Sequence, residues 1–250
     1  MSWNETMGLM STVALSLPVL FIIAFRLAGY RTFPALLAYY IIAVAYNFLT
    51  EEYVHVNKNI VLHTGLINNL LDAPLMLLFL TYFSRSVENT RRMHWLIGGL
   101  IVFDILLVSV WGLNFTTVTI AMAPGLLAIL GFSVVFFVHQ VKITVTQQKA
   151  TGRALISASL LFVYGCFSII YLIHYVLRSQ DVENTFLVYF IATILASILM
   201  SVGIYLESKR VKKLSELKVV RRELSEIYGE EKTATPLRTA VLDFDSEQWN

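Results

Sequence analysis

Residues 115–139 read FTTVTIAMAPGLLAILGFSVVFFVH and contain no aspartate, glutamate, lysine or arginine. An α-helix rises 1.5 Å per residue, so about 20 apolar residues cross the hydrocarbon core of a bilayer. This stretch exceeds that length without a charged side chain. It therefore predicts a transmembrane helix, and the flanking sequence determines how many more accompany it.

Six further apolar runs of about this length occur in the rest of the chain. The seven predicted spans lie at approximately residues 9–27, 33–50, 61–84, 95–112, 115–139, 154–178 and 185–206. Of the 250 residues, 57% are hydrophobic and 14% are charged, whereas a soluble domain carries about 25% charged residues. We expect an all-α fold, a seven-transmembrane-helix bundle in a plasma or inner membrane. The span count depends on a short turn near residues 112–116.

The distribution of basic residues predicts the orientation of the bundle. Lysine and arginine collect on the cytoplasmic side of membrane proteins. With the N-terminus outside, 17 of the 19 basic residues fall in inner loops or in the C-terminal segment, and only Lys58 and Arg178 fall outside. The opposite topology would invert this ratio. The sequence therefore predicts an N-terminus outside and a cytoplasmic C-terminus.

The C-terminal segment differs in pattern from the spans. We divide the chain into a transmembrane domain (1–206), a cytoplasmic amphipathic juxtamembrane helix (207–228) and a flexible tail (229–250). Apolar residues recur every three to five positions from Leu206 to Ile227, which is typical of an amphipathic helix. Its basic face favours a helix lying on anionic lipid head groups. A docking helix for a cytoplasmic protein, or a dimerisation helix, is the alternative.

Polar residues inside the spans are the best indication of function, because they are costly in lipid and mark ligand or ion sites. Span three, VLHTGLINNLLDAPLMLLFL, places Thr64, Asn68 and Asp72 on one helix face, and span four carries Asp104 near its middle. Burial favours the neutral carboxyl group, which suits reversible protonation. The alternative is a neutral aspartate that joins two helices structurally. The predicted ligand- or proton-binding site comprises Asp72, Asn68, Asn69, Thr64 and Asp104.

The histidines and the short sequence motifs give less information about function than the polar residues of the spans. His63 and His174 are at similar predicted depth and could ligate a haem iron from opposite sides. Interfacial histidines that anchor span ends are the favoured interpretation, since no haem motif accompanies them. No HExxH motif occurs, and Cys166 is the single cysteine, so we expect no metal site. Enzyme and nucleic-acid motifs are also missing, and we predict no catalytic residues and no nucleic-acid partner.

Several short patterns resemble a known family. The run DAPLMLL at residues 72–78, the mid-span Asp104 and the spacing of Tyr164, Phe167 and Tyr171 resemble patterns of the seven-helix microbial rhodopsins. The resemblance implies an opsin-like arrangement with a small apolar ligand among spans three, six and seven, and it adds Tyr164, Phe167 and Tyr171 to the predicted site. Rhodopsins hold retinal on a lysine of the seventh helix, and span seven here has none. We expect no covalent retinal and no conventional light-driven pump, and the cofactor stays unknown.

Four functions remain open from sequence. The first is a multi-pass sensor or signal-relay protein that binds a small ligand and reports it through the C-terminal helix. The second is a small proton-coupled transporter that uses Asp72 and Asp104. The third is a haem-binding redox protein, and the fourth is an intramembrane enzyme acting on lipid. Small residues such as Gly165 and Gly203 allow close packing within or between chains, so a homo-oligomer is also open.

Overall fold

The computed structural model describes residues 3–51, 53–54, 56–84, 86–147, 150–173 and 182–228. This described part is almost entirely helical and contains no strand. Two 3-10 helices, Leu27–Gly29 and Thr81–Phe83, precede α2 and follow α3. The α-helices are α1 (Trp3–Ala24), α2 (Phe33–Thr50), α3 (Lys58–Leu80), α4 (Val87–Trp111), α5 (Phe115–Gln147), α6 (Thr151–Tyr171) and α7 (Val182–Tyr228).

All seven of these helices are long and apolar enough to cross a membrane. This confirms the prediction of an all-α chain with seven candidate spans. The turn on which the count depended is present, because α4 ends at Trp111 and α5 begins at Phe115. Gly112, between them, has a φ of 78° that suits glycine. Which side of the membrane each end faces does not follow from the helices, so the orientation stays a prediction.

Several helices extend beyond their apolar runs. α4 begins at Val87 rather than at residue 95, because Ser86 caps it by accepting a hydrogen bond from the Asn89 amide at 3.1 Å. α5 continues to Gln147 rather than stopping at residue 139. An apolar run indicates only the part of a helix that lies in lipid. The backbone hydrogen bonds of the helix can continue beyond that run into water, so the helix is longer than the span.

By internal contacts the chain divides into two units, Met1–Glu207 and Ser208–Asn250. The first unit contains α1 to α6 and the part of α7 up to Glu207. In the second unit the described residues, 208–228, are helical. Val219, Val220 and Leu224 are exposed apolar residues of that helix.

Glycines allow α6 and α7 to approach very closely within the first unit. A Cβ atom on Gly152 would lie 2.6 Å from the backbone nitrogen of Glu207, and one on Gly203 would lie 2.7 Å from Ile156. Nothing larger than hydrogen fits between the helices at these positions. Close packing through small residues is a common way for membrane helices to associate.

α4 is the least buried of the seven helices. Only Met93 and Ile97 are buried along it, and it packs against α3 and α5. Large apolar residues such as Trp95, Val102 and Val110 are exposed on its surface. In a membrane this surface suits contact with lipid, and α4 therefore lies at the periphery of the bundle.

Candidate functional site

A cavity of about 220 Å³ lies inside the first unit and is lined by six of the seven helices, α4 being the exception. Its wall combines aliphatic side chains with aromatic and polar ones. The aromatic ones are Tyr39, Tyr40, Tyr46, Phe167, Tyr171 and Tyr189. The polar ones are Asn47, Asn68, Asn69, Asp72, Thr193 and Ser197. A concave, mostly apolar wall with a few convergent polar groups is typical of a small-molecule site.

Asp72 is the acidic residue of this wall and has a defined partner. The hydroxyl of Tyr164, on α6, donates a hydrogen bond to Asp72 Oδ1 at 2.5 Å. Tyr164 is fully buried, and the side chain of Tyr39 lies close enough to interact with both residues. Helices α2, α3 and α6 therefore meet at one carboxyl group.

The position of Asp72 on α3 is fixed by close packing beside it. Gly125 of α5 follows Pro124, and a Cβ atom there would lie 2.5 Å from the Cβ of Ala73. Pro74 follows Ala73 within α3 and cannot donate a helical hydrogen bond. The α3–α5 contact thus holds the residue next to Asp72, and there is no space for a larger side chain at position 125.

The aromatic wall is itself tightly arranged. The rings of Phe167 and Tyr189 stack with centroids 5.2 Å apart, so α6 and α7 share one face of the cavity. Tyr164 meets the edge of Phe167 with a centroid distance of 5.9 Å. Tyr171, at the end of α6, donates a hydrogen bond to the Thr119 carbonyl of α5 at 3.2 Å. These contacts make the wall largely pre-formed.

A second, larger cavity of about 500 Å³ lies toward the end of the bundle where α2 connects to α3, here called the α2–α3 end. Lys58, Val61 and Phe115 are among its lining residues. Tyr46 and Asn69 line both cavities and so form the partition between them. A Cβ atom on Gly65 would lie 2.8 Å from the Tyr46 hydroxyl, so Gly65 leaves room for Tyr46 to stand there.

The opposite end, where α3 connects to α4 and here called the α3–α4 end, is filled by side chains. Phe33 packs edge to face against Phe79 and against Tyr82, with centroid distances of 5.6 and 5.3 Å. Phe33, Phe79 and Leu80 are fully buried. The central cavity therefore adjoins open space at the α2–α3 end and a plug of aromatic rings at the other.

The predicted site residues divide into those that meet at the cavity and those that do not. Asn68, Asn69, Asp72, Phe167 and Tyr171 line it, and Tyr164 binds Asp72. Thr64 is not among the lining residues, although it shares the helix face of Asn68 in sequence. Asp104 is also absent, because it belongs to α4. One of its oxygens is buried with no hydrogen-bond partner among the described residues.

The haem hypothesis finds no support in the described part of the chain. His63 is exposed, and its Nδ1 atom is 2.7 Å from the Asn59 carbonyl. His174 lies outside the described residues. Among the residues that are described, no three histidine, cysteine, aspartate or glutamate side chains cluster as metal ligands.

Sequence reasoning missed a second polar cluster at the α3–α4 end. Glu207 of α7 is completely buried and accepts hydrogen bonds from the Tyr82 hydroxyl and from Arg153 Nε, the latter at 3.2 Å. The Arg153 guanidinium lies 4.9 Å from the centre of the Tyr82 ring. The predicted boundaries assign these two charges to an inner loop and to the juxtamembrane helix. The sequence did contain a signal for this pair, because Arg153 directly precedes span six and Glu207 directly follows span seven, so that opposite charges lie at the same predicted depth.

Sequence reasoning also missed the contribution of α2. Tyr39, Ala43, Tyr46 and Asn47 follow one another at spacings of four, three and one, and all four line the central cavity. That spacing is a helical stripe. It is visible in the sequence, but a search for carboxyl groups and their neighbours within the spans does not select it.

Comparison with protein families, characterised proteins and solved structures yields no match. The resemblance to microbial rhodopsins therefore stays a prediction. Any functional conclusion rests on the geometry of the two clusters.

Proposed function

We propose that this chain is a membrane sensor that binds a small molecule in the central cavity and relays binding to the cytoplasm through α6 and α7. The observation that carries the proposal is that α6 joins the two clusters. It bears Tyr164, which binds Asp72 at the cavity, and Arg153, which binds the buried Glu207.

Tyr164 and Arg153 are separated by about 16 Å of helix, at 1.5 Å per residue. A ligand that competes for Asp72 would release the Tyr164 hydroxyl and alter the position of α6. Arg153 moves with α6, so its hydrogen bond to Glu207 would respond. An effect at one site reaches another only through an element with two arrangements, and α6 is the element proposed here.

The basic C-terminal segment supplies the output in this proposal. With the N-terminus outside, the α3–α4 end faces the cytoplasm, and helix 208–228 is then the part accessible to a protein partner or to anionic lipid. The ligand would enter from the α2–α3 end, past Tyr46 and Asn69, which line both cavities.

A cavity-filling variant tests ligand binding. A compound library is screened for compounds that raise the unfolding temperature of the purified protein, and the hits are repeated on Ala43→Phe. Ala43 lines the cavity, whereas Ala45 of the same helix is exposed and does not line it, so Ala45→Phe is the matched control. We expect hits to stabilise the parent and the control, and to lose their effect on Ala43→Phe.

The relay needs a separate readout. Replacing Cys166 by alanine and introducing Ser215→Cys allows one spin label on the exposed part of helix 208–228. We expect compounds that bind the cavity to change the label spectrum, and Glu207→Gln to reduce that change. Compounds that bind without any change in the label would refute the relay.

A proton-coupled carrier is the second candidate, favoured by the one-sided surroundings of the cavity. A carrier that alternates access holds its site open to one side of the membrane and closed to the other. Here the cavity adjoins the second cavity at Tyr46, and aromatic side chains packed around Phe33 close the opposite end. Proteoliposome uptake of the same hits separates the two functions. Accumulation that depends on a proton gradient and disappears in Asp72→Asn would favour the carrier.

A further inference from the structure

The charge balance of the central cavity restricts what it can hold. Asp72 is its one acidic residue, and no lysine, arginine or histidine is among the lining residues that the structure describes. Tyr164 donates to Oδ1, and no described side chain donates to Oδ2. A carboxylate in a low-dielectric site needs a positive partner or else stays protonated. A ligand that carries its own positive charge would supply that partner.

The rest of the wall suits the body of such a ligand. The negative faces of aromatic rings attract cations within about 6 Å of the ring centre, and quaternary ammonium groups are recognised in this way. Tyr39, Tyr189 and Phe167 come from three different helices and line the same cavity as Asp72. The stacking of Phe167 on Tyr189 holds two of these rings in place before any ligand arrives.

The volume sets the size of the ligand. At roughly 30 Å³ for each water-sized group, a cavity of about 220 Å³ holds roughly seven non-hydrogen atoms. Drug-sized molecules need cavities of roughly 300 Å³ or more. A retinoid or a haem exceeds the volume of this cavity alone.

We propose that the central cavity binds a small organic cation, an amine or quaternary ammonium compound of roughly seven non-hydrogen atoms, whose charge sits on Asp72 and whose carbon atoms face Tyr39, Tyr189 and Phe167. The proposal rests on the proposed function, since it names the ligand class of the same cavity. It replaces the small apolar ligand expected from sequence with a charged one.

The entrance is compatible with a cation. Lys58 lines the second cavity, but it is exposed at the beginning of α3. Water and salt screen an exposed charge strongly over about 8 Å at physiological ionic strength. The partition at Tyr46 and Asn69 adds a fourth ring and an amide carbonyl, both of which attract a cation.

Matched pairs of small probes test the inference on the full-length protein in lipid nanodiscs. Choline is compared with 3,3-dimethylbutan-1-ol, and cyclohexylamine with cyclohexanol. Each pair has nearly the same shape, and only one member carries a charge. Binding is measured by isothermal titration calorimetry. We expect both cations to bind at least roughly 10-fold more tightly than their neutral partners, because each places a positive charge beside the Asp72 carboxylate and the aromatic rings. Cyclohexylammonium can in addition donate a hydrogen bond to the carboxylate, whereas the quaternary nitrogen of choline cannot.

Two substitutions locate the charge. Asp72→Asn is expected to weaken binding of the cations roughly 10- to 100-fold. Asp104→Asn makes the same chemical change on α4, away from the cavity, and is expected to leave binding unchanged. If Asp72→Asn does not fold, Phe167→Leu is used instead and removes one aromatic ring. We expect it to weaken the binding of choline more than the binding of cyclohexanol.

The outcomes distinguish this inference from the proposed function. If the neutral partners bind as tightly as the cations, and binding is lost in Ala43→Phe, the proposed preference for a cation is wrong, but the cavity is still a ligand site. No binding of either cation to the folded parent would also overturn it, and the library screen on Ala43→Phe and Ala45→Phe would then decide the proposed function independently.

Discussion

At the scale of single residues, the hydrogen bond between Tyr164 and Asp72 gives the sharpest prediction. Tyr164→Phe removes only the hydroxyl, and we expect the free energy of unfolding to fall by about 1 kcal/mol, since hydrogen bonds between membrane helices contribute modestly. In an Asp72→Asn background the same change should cost less, because the charged or strongly accepting partner is gone.

Reversible unfolding of the four proteins in mild detergent measures this coupling. Tyr53→Phe is the control for losing a tyrosine hydroxyl, because Tyr53 is exposed and lies outside the helices. Equal costs of Tyr164→Phe in both backgrounds would mean that the two side chains are neighbours without energetic coupling.

Glu207 allows a second prediction at this scale. Glu207→Gln leaves Arg153, whose side chain is 22% exposed, without its carboxylate partner. Removing one partner of a buried ion pair typically costs about 3 kcal/mol, because the remaining charge stays buried. We expect a loss of that order in the free energy of unfolding, and partial recovery when Arg153→Met is added.

The matched control for Glu207→Gln is Glu216→Gln. Glu216 is exposed on helix 208–228, and its substitution should change the free energy of unfolding by less than about 0.5 kcal/mol. If both substitutions cost the same, the contacts of Glu207 with Arg153 and Tyr82 contribute nothing to stability.

At the scale of elements, two glycines of α6 should respond in opposite directions to the same substitution. A Cβ atom on Gly152 would collide with the backbone of α7 at 2.6 Å, whereas nothing lies within 4 Å of one on Gly165. We expect Gly152→Ala to destabilise the protein by about 2 kcal/mol through overpacking. Gly165→Ala should stabilise it by about 0.5 kcal/mol through helix propensity.

Unfolding temperatures of the two variants, measured side by side, check this prediction. The comparison is internal to one helix and one chemical change, so effects of detergent or expression cancel. If Gly152→Ala is as stable as the parent and binds ligands of the central cavity equally well, α6 and α7 can separate without consequence. The proposed relay through Arg153 and Glu207 would then also be wrong.

The same scale explains what could be predicted from the sequence. Seven apolar runs, each about as long as a bilayer is thick, determine the number of candidate spans, and Asp72 stands out because a carboxyl group is rare in such a run. Asp104 satisfies the same criterion equally well, yet α4 is peripheral. Periodicity gives the face of a helix but not the neighbour that this face meets, which is why Tyr39, Tyr189 and Glu207 were found only in the structure.

At the scale of the whole molecule, every statement about inside and outside depends on the orientation of the bundle. A chain that lacks its native cysteine, through Cys166→Ala, allows single reporters at the two ends of α5. Thr116→Cys lies in its first turn and Thr146→Cys in its last, and both threonines are exposed. With 17 of 19 basic residues assigned to the cytoplasm, the positive-inside rule predicts Thr116 outside and Thr146 inside.

An impermeant maleimide applied to intact cells should therefore label Thr116→Cys and spare Thr146→Cys, and permeabilisation should expose the second site. The opposite pattern would reverse the bundle and place the cavity entrance at Tyr46 and Asn69 on the cytoplasmic side. The relay through Arg153 and Glu207 would then point outward, and helix 208–228 would no longer reach a cytoplasmic partner. A cation site at Asp72 would survive that reversal, but it would open to the metabolites of the cell rather than to its surroundings.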